Sequence, residues 1–293
     1  MSARFGRVMT AMVTPFDDSG ELDLGAAAEV AQFLVETGSD GLVLAGTTGE
    51  SPTLTDSEAA ALFRRVRESV DVPLLAGAGS NSTIHAVELT KMAADCGVDG
   101  ILSVTPYYNR PSQAGLLDHF STVATATTLP IMIYDIPMRT GRKVDTDTLL
   151  RLAVEVDNIV AVKDAAGDPV ESARLLSMSP DGFELYSGDD AMTLPLMAVG
   201  AVGVVSVASH WAAAQFGEMI DAHQKGDVMT ARRLNAQLIE SYEFESSVDA
   251  PNPIPTKAMM RVLGLRVGAC RTPMTGEPDD LEIRARSVLD GLG

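Results

Sequence analysis

The stretch "NIVAVKDAAGDPVESARLL", residues 158–176, decides the fold. Its first part is apolar without alternation as far as Lys163, which is how a parallel strand covered on both faces reads. A polar turn containing Gly167 follows. Asp168, Pro169 and Glu171 then supply a helix cap, a first-turn proline and a capping-box carboxylate ahead of "SARLL". This is one strand-turn-helix unit.

Working outward, the same unit recurs along the chain. β-rich apolar runs occupy 8–14, 41–44, 73–76, 100–104, 131–134, 159–163, 183–187 and 203–206. Helical patterns lie between them, with a second capping box at Thr55 to Glu58 and starts after Ser82, Ser112 and Asp145. Gly97 and Gly226 stand where a helix end asks for a left-handed residue. Parallel neighbours need a crossover and right-handed crossovers close a ring, so the pattern predicts an α/β fold, a (β/α)8 barrel. Past Gly226 the strands stop. Residues 227–245, 255–263 and 279–289 read as helices separated by "DAPNPIP" and "GACRTPMTGEP". The expected organisation is a catalytic barrel over 1–226 and a three-helix domain over 227–293.

The totals fit. At 293 residues, 46% of them apolar and 21% charged, the chain can bury a large core, and no run of about 18 apolar residues exists to span a bilayer. Residues 1–10 lack the form of a secretory signal, so a cytoplasmic location is expected. A net charge of −18 argues against nucleic acid or an anionic membrane as partner, and an anionic substrate would need a local cationic pocket. Cys96 and Cys270 are too few for a disulfide framework. His85, His119, His210 and His223 lack zinc-site spacing and no acid cluster suggests a magnesium cage, so neither metal nor cofactor is expected. "GAGSNS" from Gly77 imitates a dinucleotide fingerprint but lacks its last glycine, and reads as a strand-to-helix turn.

In such a barrel, chemistry sits where strands run out into the following loops. Strand 2 leads to "AGTTGES" with Thr47 and Thr48, strand 4 to "TPYYNRP" with Tyr107, Tyr108 and Arg110, strand 5 to "YDIPMRTG" with Tyr134 and Arg139, and strand 7 to "SGDD". Strand 6 ends on Lys163. Among the five lysines, Lys91, Lys143, Lys225 and Lys257 have ordinary solvent-facing readings, whereas Lys163 follows "NIVAV" and points into the barrel mouth. A free lysine is neutral in roughly one molecule in 2,500 at pH 7, and desolvation by about three pKa units raises that to around a third. A neutral amine attacks a ketone, and the resulting Schiff base draws electrons so that the neighbouring carbon loses a proton. The alternative is a structural ion pair with Asp164 or Asp189. Hydroxyls at Tyr134, Tyr108 and Thr47 on the same rim suit the proton transfers of imine chemistry. The "GTTGE" amides and the Arg139 guanidinium suit carboxylates, although Arg139 also reads as a surface salt-bridge partner.

Taken in order, "GTTGES", "TPYYNRP", "Y-x-I-P-x-R-T-G", "VKDAAGD", "SGDD" and "NPIP-x-K" resemble the dihydrodipicolinate synthase family, along essentially the whole chain. The resemblance implies condensation of pyruvate with L-aspartate 4-semialdehyde on the diaminopimelate route to lysine. It gives the imine to Lys163, proton relay to Tyr134 with Thr47 and with Tyr108 from a neighbouring subunit, the pyruvate carboxylate to Thr48 and that of the semialdehyde to Arg139. Gly188 and Val205 match positions whose backbone lines the pocket. A homotetramer built as a dimer of dimers is implied. The related sugar-acid lyases share the lysine and tyrosine but generally lack the arginine and the paired tyrosines. A non-catalytic barrel with a vestigial pocket is the third reading. Asp135, Met138 and His210 depart from common family residues near the pocket. At the family's lysine-feedback site, Ser51, Asn81 and Tyr107 match, but Asp56, Ala59 and His85 depart, which predicts weak or absent inhibition by lysine.

Overall fold

Continuous apolar character makes each strand fit only where both of its faces are covered, and the computed structural model, which describes residues 3–292, shows that outcome. The strands are β1 (Val8–Ala11), β2 (Gly41–Leu44), β3 (Leu74–Gly77), β4 (Gly100–Val104), β5 (Ile131–Asp135), β6 (Ile159–Asp164), β7 (Glu184–Ser187) and β8 (Gly203–Ser206). They hydrogen-bond in chain order into a closed parallel barrel. The helices that follow successive strands are α1 (Leu24–Glu36), α2 (Asp56–Arg67), α3 (Thr83–Asp95) and α4 (Gln113–Ala124), then the short α5 (Pro137–Thr140) with α6 (Thr146–Glu155). After them come α7 (Pro169–Met178), α8 (Thr193–Ala198) and α9 (Ser209–Gln224). The chain ends in α10 (Val228–Gln237), α11 (Ile239–Phe244), α12 (Ile254–Val262) and α13 (Leu281–Leu292). The (β/α)8 expectation holds.

Two compact units make up the chain. The first takes in the residues up to Arg7 and Pro73–Val205; the second takes in Val8–Val72 and the residues from Ser206 onward. In the first, parallel ladders run from β3 to β8, the β5–β6 register shifting by one residue between Ile131 and Met132, and Tyr186 ties down the incoming chain by accepting from the Phe5 N–H while donating to Glu184. In the second, the face of α13 carrying Leu281, Ala285 and Val288 packs with Phe244, Ile254, Ala258 and Met259, the i, i+4, i+7 spacing of one helical stripe.

Most helix starts follow the sequence reading. Thr55 and Glu58 form both halves of a capping box, Ser82 and Ser112 accept from the third residue of their helices, and Gly97 and Gly226 have positive φ. Asp145 precedes α6 without a side-chain cap bond. Asp168 caps α7 through the Val170 and Glu171 N–H groups, but Glu171 does not complete a box, because its carboxylate accepts from Thr146 Oγ1 at 2.5 Å and from Arg174. The "GAGSNS" segment is the β3-to-α3 turn, and Gly79 is required there because a Cβ would lie 2.5 Å from the Val104 nitrogen.

Apart from shifts of one to three residues at element ends, three expectations differ from the structure. The first strand stops at Ala11, although its apolar run continues to 14: the Met12 N–H still reaches the Val43 carbonyl of β2, but beyond it Val13 N–H donates to His210 Nε2 and Thr14 Oγ1 to the Gly49 carbonyl. The helix expected over 227–245 is divided at Leu238, whose N–H is shared between the Leu234 and Asn235 carbonyls. Among the described residues, four helices therefore follow Gly226, where three were expected. Lys257, expected to face solvent, is 1% exposed, because Glu50 supplies a buried counter-charge 2.7 Å from its Nζ.

Candidate active site

The first unit gathers Lys163, Tyr134 and Gly188. Strands β5 and β6 pair Tyr134 with Lys163 and Asp135 with Asp164, so the tyrosine and lysine share one face of the pleat. Lys163 is 5% exposed, and its Nζ stands 4.2 Å from the centre of the Tyr134 ring. Gly188, just past β7, leaves the lysine stem its room, since a Cβ there would lie 2.9 Å from Lys163 Cγ and 3.0 Å from Cε. The Gly188 N–H donates to the Asp164 carbonyl, and Ala165 N–H to that of Asp135, which carries the ladder one step beyond the strand ends.

The residues facing the other way fasten this end of the sheet. Asp164 accepts from the Ala166 N–H and, at 2.6 Å, from Ser172 Oγ of α7. Asp189 accepts from the Ala191 N–H, and burial pushes its carboxyl pKa up. Asp135 is buried, holds Lys143 Nζ at 2.9 Å and accepts from the Val144 N–H; burial pushes its pKa up against the pull of Lys143. Both of its oxygens thus brace the loop that carries Arg139.

Arg139 lies on α5, exposed, and its guanidinium forms no ion pair among the described residues, so the surface salt-bridge reading finds no partner there. Thr140 Oγ1 closes this short helix onto the Ile136 and Arg142 carbonyls. The Thr140 carbonyl accepts from the Tyr108 N–H, which joins the "YYNRP" loop to the "MRTG" loop. Tyr108 is 89% exposed with φ of +73°, so its phenol is not packed within its own chain. Val205 is buried at the end of β8.

The second unit holds Thr47 and Thr48 in the turn after β2. Thr47 is half-buried and Thr48 buried. The turn has two non-glycine residues in the left-handed region, Ala45 at φ +49° and Glu50 at +55°, each disfavoured by roughly 1 kcal/mol or more without supporting contacts. Those contacts are present. Glu50 pairs with Lys257 and accepts from the Arg271 N–H at 2.8 Å, and Asn252 Nδ2 donates to Thr48 Oγ1 at 2.9 Å. Lys257 Nζ also donates to the Ala269 carbonyl and lies 4.2 Å from the Phe16 ring centre. Cys270, beside this pair, has its thiol pushed up to about 12, chiefly by burial. Sequence reasoning missed these supports. The signal available was "IPTKAMM", in which a lysine sits among apolar residues as Lys163 does.

His210, a departure noted near the pocket, is structural. Its Nε2 accepts from the Val13 N–H and its Nδ1 faces the Val207 carbonyl at 2.7 Å, which fixes a neutral ring with the proton on Nδ1; burial takes its pKa down to about 4.

Comparison with known proteins gives one answer. Residues 4–289 match the model of the dihydrodipicolinate synthetase family. The chain is 50% identical to the 4-hydroxy-tetrahydrodipicolinate synthase of Moorella thermoacetica and 42% to that of Bacillus subtilis, over 99% and 98% of its own length and 99% of each relative. Among solved structures it is similar to a dihydrodipicolinate synthase of Bacillus anthracis, with TM-score 0.94 and 43% identity, covering 99% of both chains. It is equally similar to that of Cyanidioschyzon merolae with lysine bound, with TM-score 0.95, 45% identity and coverage of 99% and 98%. A buried lysine beside a tyrosine at adjoining strand ends, in a chain matched over nearly its whole length, leads to one conclusion: this protein belongs to the dihydrodipicolinate synthetase family.

Proposed function

We propose that this chain is a Schiff-base-forming lyase that condenses pyruvate with L-aspartate 4-semialdehyde, the 4-hydroxy-tetrahydrodipicolinate synthase reaction of lysine biosynthesis by the diaminopimelate route. One observation carries the reading: the Lys163 amine is stationed over the Tyr134 ring at the end of β6, with Gly188 clearing its stem.

In this mechanism Lys163 Nζ attacks the keto carbon of pyruvate, and loss of water gives the imine. The methyl carbon then gives up a proton, the electron pair moves toward the imine nitrogen, and the enamine attacks the aldehyde carbon of the second substrate. Tyr134 relays the protons, partnered by Thr47 and by Tyr108 from a neighbouring subunit. Thr48 and the adjacent amides hold the pyruvate carboxylate, Arg139 holds that of the semialdehyde, and the backbone at Gly188 and Val205 lines the pocket. The Arg139 guanidinium, unengaged by any acid of the described residues, supports its part. The exposure of Tyr108 supports a shared site and hence a homo-oligomer, with a tetramer made of two dimers as the expected form. The imine itself is the electron sink, so the chemistry calls for no added cofactor. A cytoplasmic location follows from the biosynthetic role; no helix among the described residues is long and apolar enough to cross a membrane.

The test is reductive trapping. Incubation with pyruvate and borohydride should add one reduced pyruvate adduct, mapped to the peptide containing Lys163, and turnover should require aspartate semialdehyde. A label on another residue, or none, overturns the reading. We also infer weak or absent feedback by lysine, because Asp56, Ala59 and His85 depart from the pattern of inhibited family members. Millimolar inhibition of the initial rate would refute that inference.

A further inference from the structure

The loop before α12 carries a hydrogen-bond chain that ends on the turn after β2. Thr256 Oγ1 donates to Asn252 Oδ1 at 3.1 Å, and Asn252 Nδ2 donates to Thr48 Oγ1 at 2.9 Å. All three side chains are buried, and the Asn252 backbone N–H is anchored on Ser246 Oγ. The chain has a direction. A threonine hydroxyl has one proton and two lone pairs, and an amide has distinct donor and acceptor ends. The Thr256 donation fixes which end of Asn252 faces Thr48, and Thr48 Oγ1, having accepted from Asn252, keeps its single hydrogen to donate elsewhere.

We propose that Asn252 is a positioning residue that sets Thr48 as a hydrogen-bond donor toward the carboxylate of the keto-acid substrate. The proposal rests on the reading of Thr48 given above and assigns a task to a side chain beyond Gly226. A carboxylate accepts hydrogen bonds only, so a Thr48 hydroxyl held in the donor sense stabilises it, whereas one turned to donate inward presents lone pairs to an anion. Glu50 and Lys257 hold the backbone of the same turn, which leaves the hydroxyl's sense as the part Asn252 controls.

The experiment compares Asn252→Asp with Asn252→Ala in the full chain, following borohydride trapping at graded pyruvate concentrations together with steady-state turnover. Aspartate keeps the shape but can only accept, so it reverses the Thr48 hydroxyl and brings a charge of the substrate's own sign. Half-saturation by pyruvate should rise at least about tenfold in Asn252→Asp and about threefold in Asn252→Ala. In both, kcat at saturation should stay within about twofold and the label should remain on Lys163. The alanine variant also serves if the aspartate variant fails to fold, as thermal melting would reveal. Unchanged half-saturation in Asn252→Ala overturns the proposal, and so does a larger rise in Asn252→Ala than in a folded Asn252→Asp, which would mean packing alone. Absence of label in the unaltered chain would instead overturn the imine reading itself, and this proposal with it.

Discussion

Lys163 and Lys257 share an unusual setting. Each is almost wholly withdrawn from water, and each places its Nζ 4.2 Å from the centre of an aromatic ring, Tyr134 for one and Phe16 for the other. Their surroundings differ in kind. Lys257 meets a buried carboxylate at 2.7 Å and a backbone carbonyl at 3.0 Å, groups that suit a permanent ammonium; Coulomb attraction to Glu50 opposes the downward pull of burial on its pKa. Lys163 stands at a strand end beside a phenol, with a glycine leaving space along its stem. Burial alone therefore does not mark a reactive lysine. What the structure shows of their neighbours differs: a buried carboxylate and a backbone carbonyl bond the Lys257 amine, whereas a tyrosine ring and a glycine flank Lys163.

The most severe way to break this comparison is to remove each amine in turn. Lys163→Ala should lower turnover at least about a thousandfold and abolish the borohydride label, with the melting temperature little changed. Lys257→Ala should do the reverse. It leaves Glu50 buried without its counter-charge, which costs roughly 3–5 kcal/mol, visible as a lower urea midpoint, while the protein that stays folded keeps its label on Lys163. If both variants lost label and stability alike, the distinction between brace and nucleophile would fail.

Buried bases that stay neutral sharpen the comparison from the other side. Burial lowers the pKa of His210 and of His119 from 6.5 to about 4. Because the folded value is depressed, the unfolded chain takes up the proton first. Their stabilisation is thus complete above pH 6.5 and is lost as pH falls toward 4, by roughly 3 kcal/mol for each ring. Asp135 and Asp189 work in the opposite sense, since burial raises their pKa. The informative quantity is therefore a difference. Unfolding free energy measured from pH 7 to 4.5 should fall less steeply in His210→Gln than in the unaltered chain, and parallel slopes would show that His210 takes up its proton at the same pH folded as unfolded.

Much of this was legible in the sequence, and the failures share a cause. Strand character without alternation, capping serines and the positions of Gly97 and Gly226 are local signals, and the barrel followed from them. The placement of Tyr134 and Lys163 at the ends of adjoining strands was local too, because each closes an apolar run. What stayed hidden depends on partners far along the chain. The lysine at 257 looked solvent-facing because its counter-charge is 207 positions away at Glu50, a difference of numbering between the two bonded residues. Asn252 bonds to Thr48 across a separation of 204. The apolar run at 8–14 overran its strand because its last groups bond to His210 and Gly49, not to a ladder. Glu171, read as half of a capping box, met Thr146 of another helix instead.

The smallest expected effect tests the space along the Lys163 stem. Gly188→Ala adds one carbon 2.9 Å from Lys163 Cγ and 3.0 Å from both Lys163 Cε and Ala165 Cβ. None of these approaches can persist, and the flexible stem is the part most free to move. A displacement of about 1 Å at a reacting group costs up to about a hundredfold in rate, so kcat should fall by about ten- to a hundredfold. Overpacking should cost about 1–3 kcal/mol of stability. The label should still form, more slowly, and on Lys163. The decisive comparison is of labelling rate with melting temperature. A variant that melts earlier yet labels at the unaltered rate would mean that the sheet gave way and the amine did not, and that the room beside Gly188 serves packing instead of chemistry.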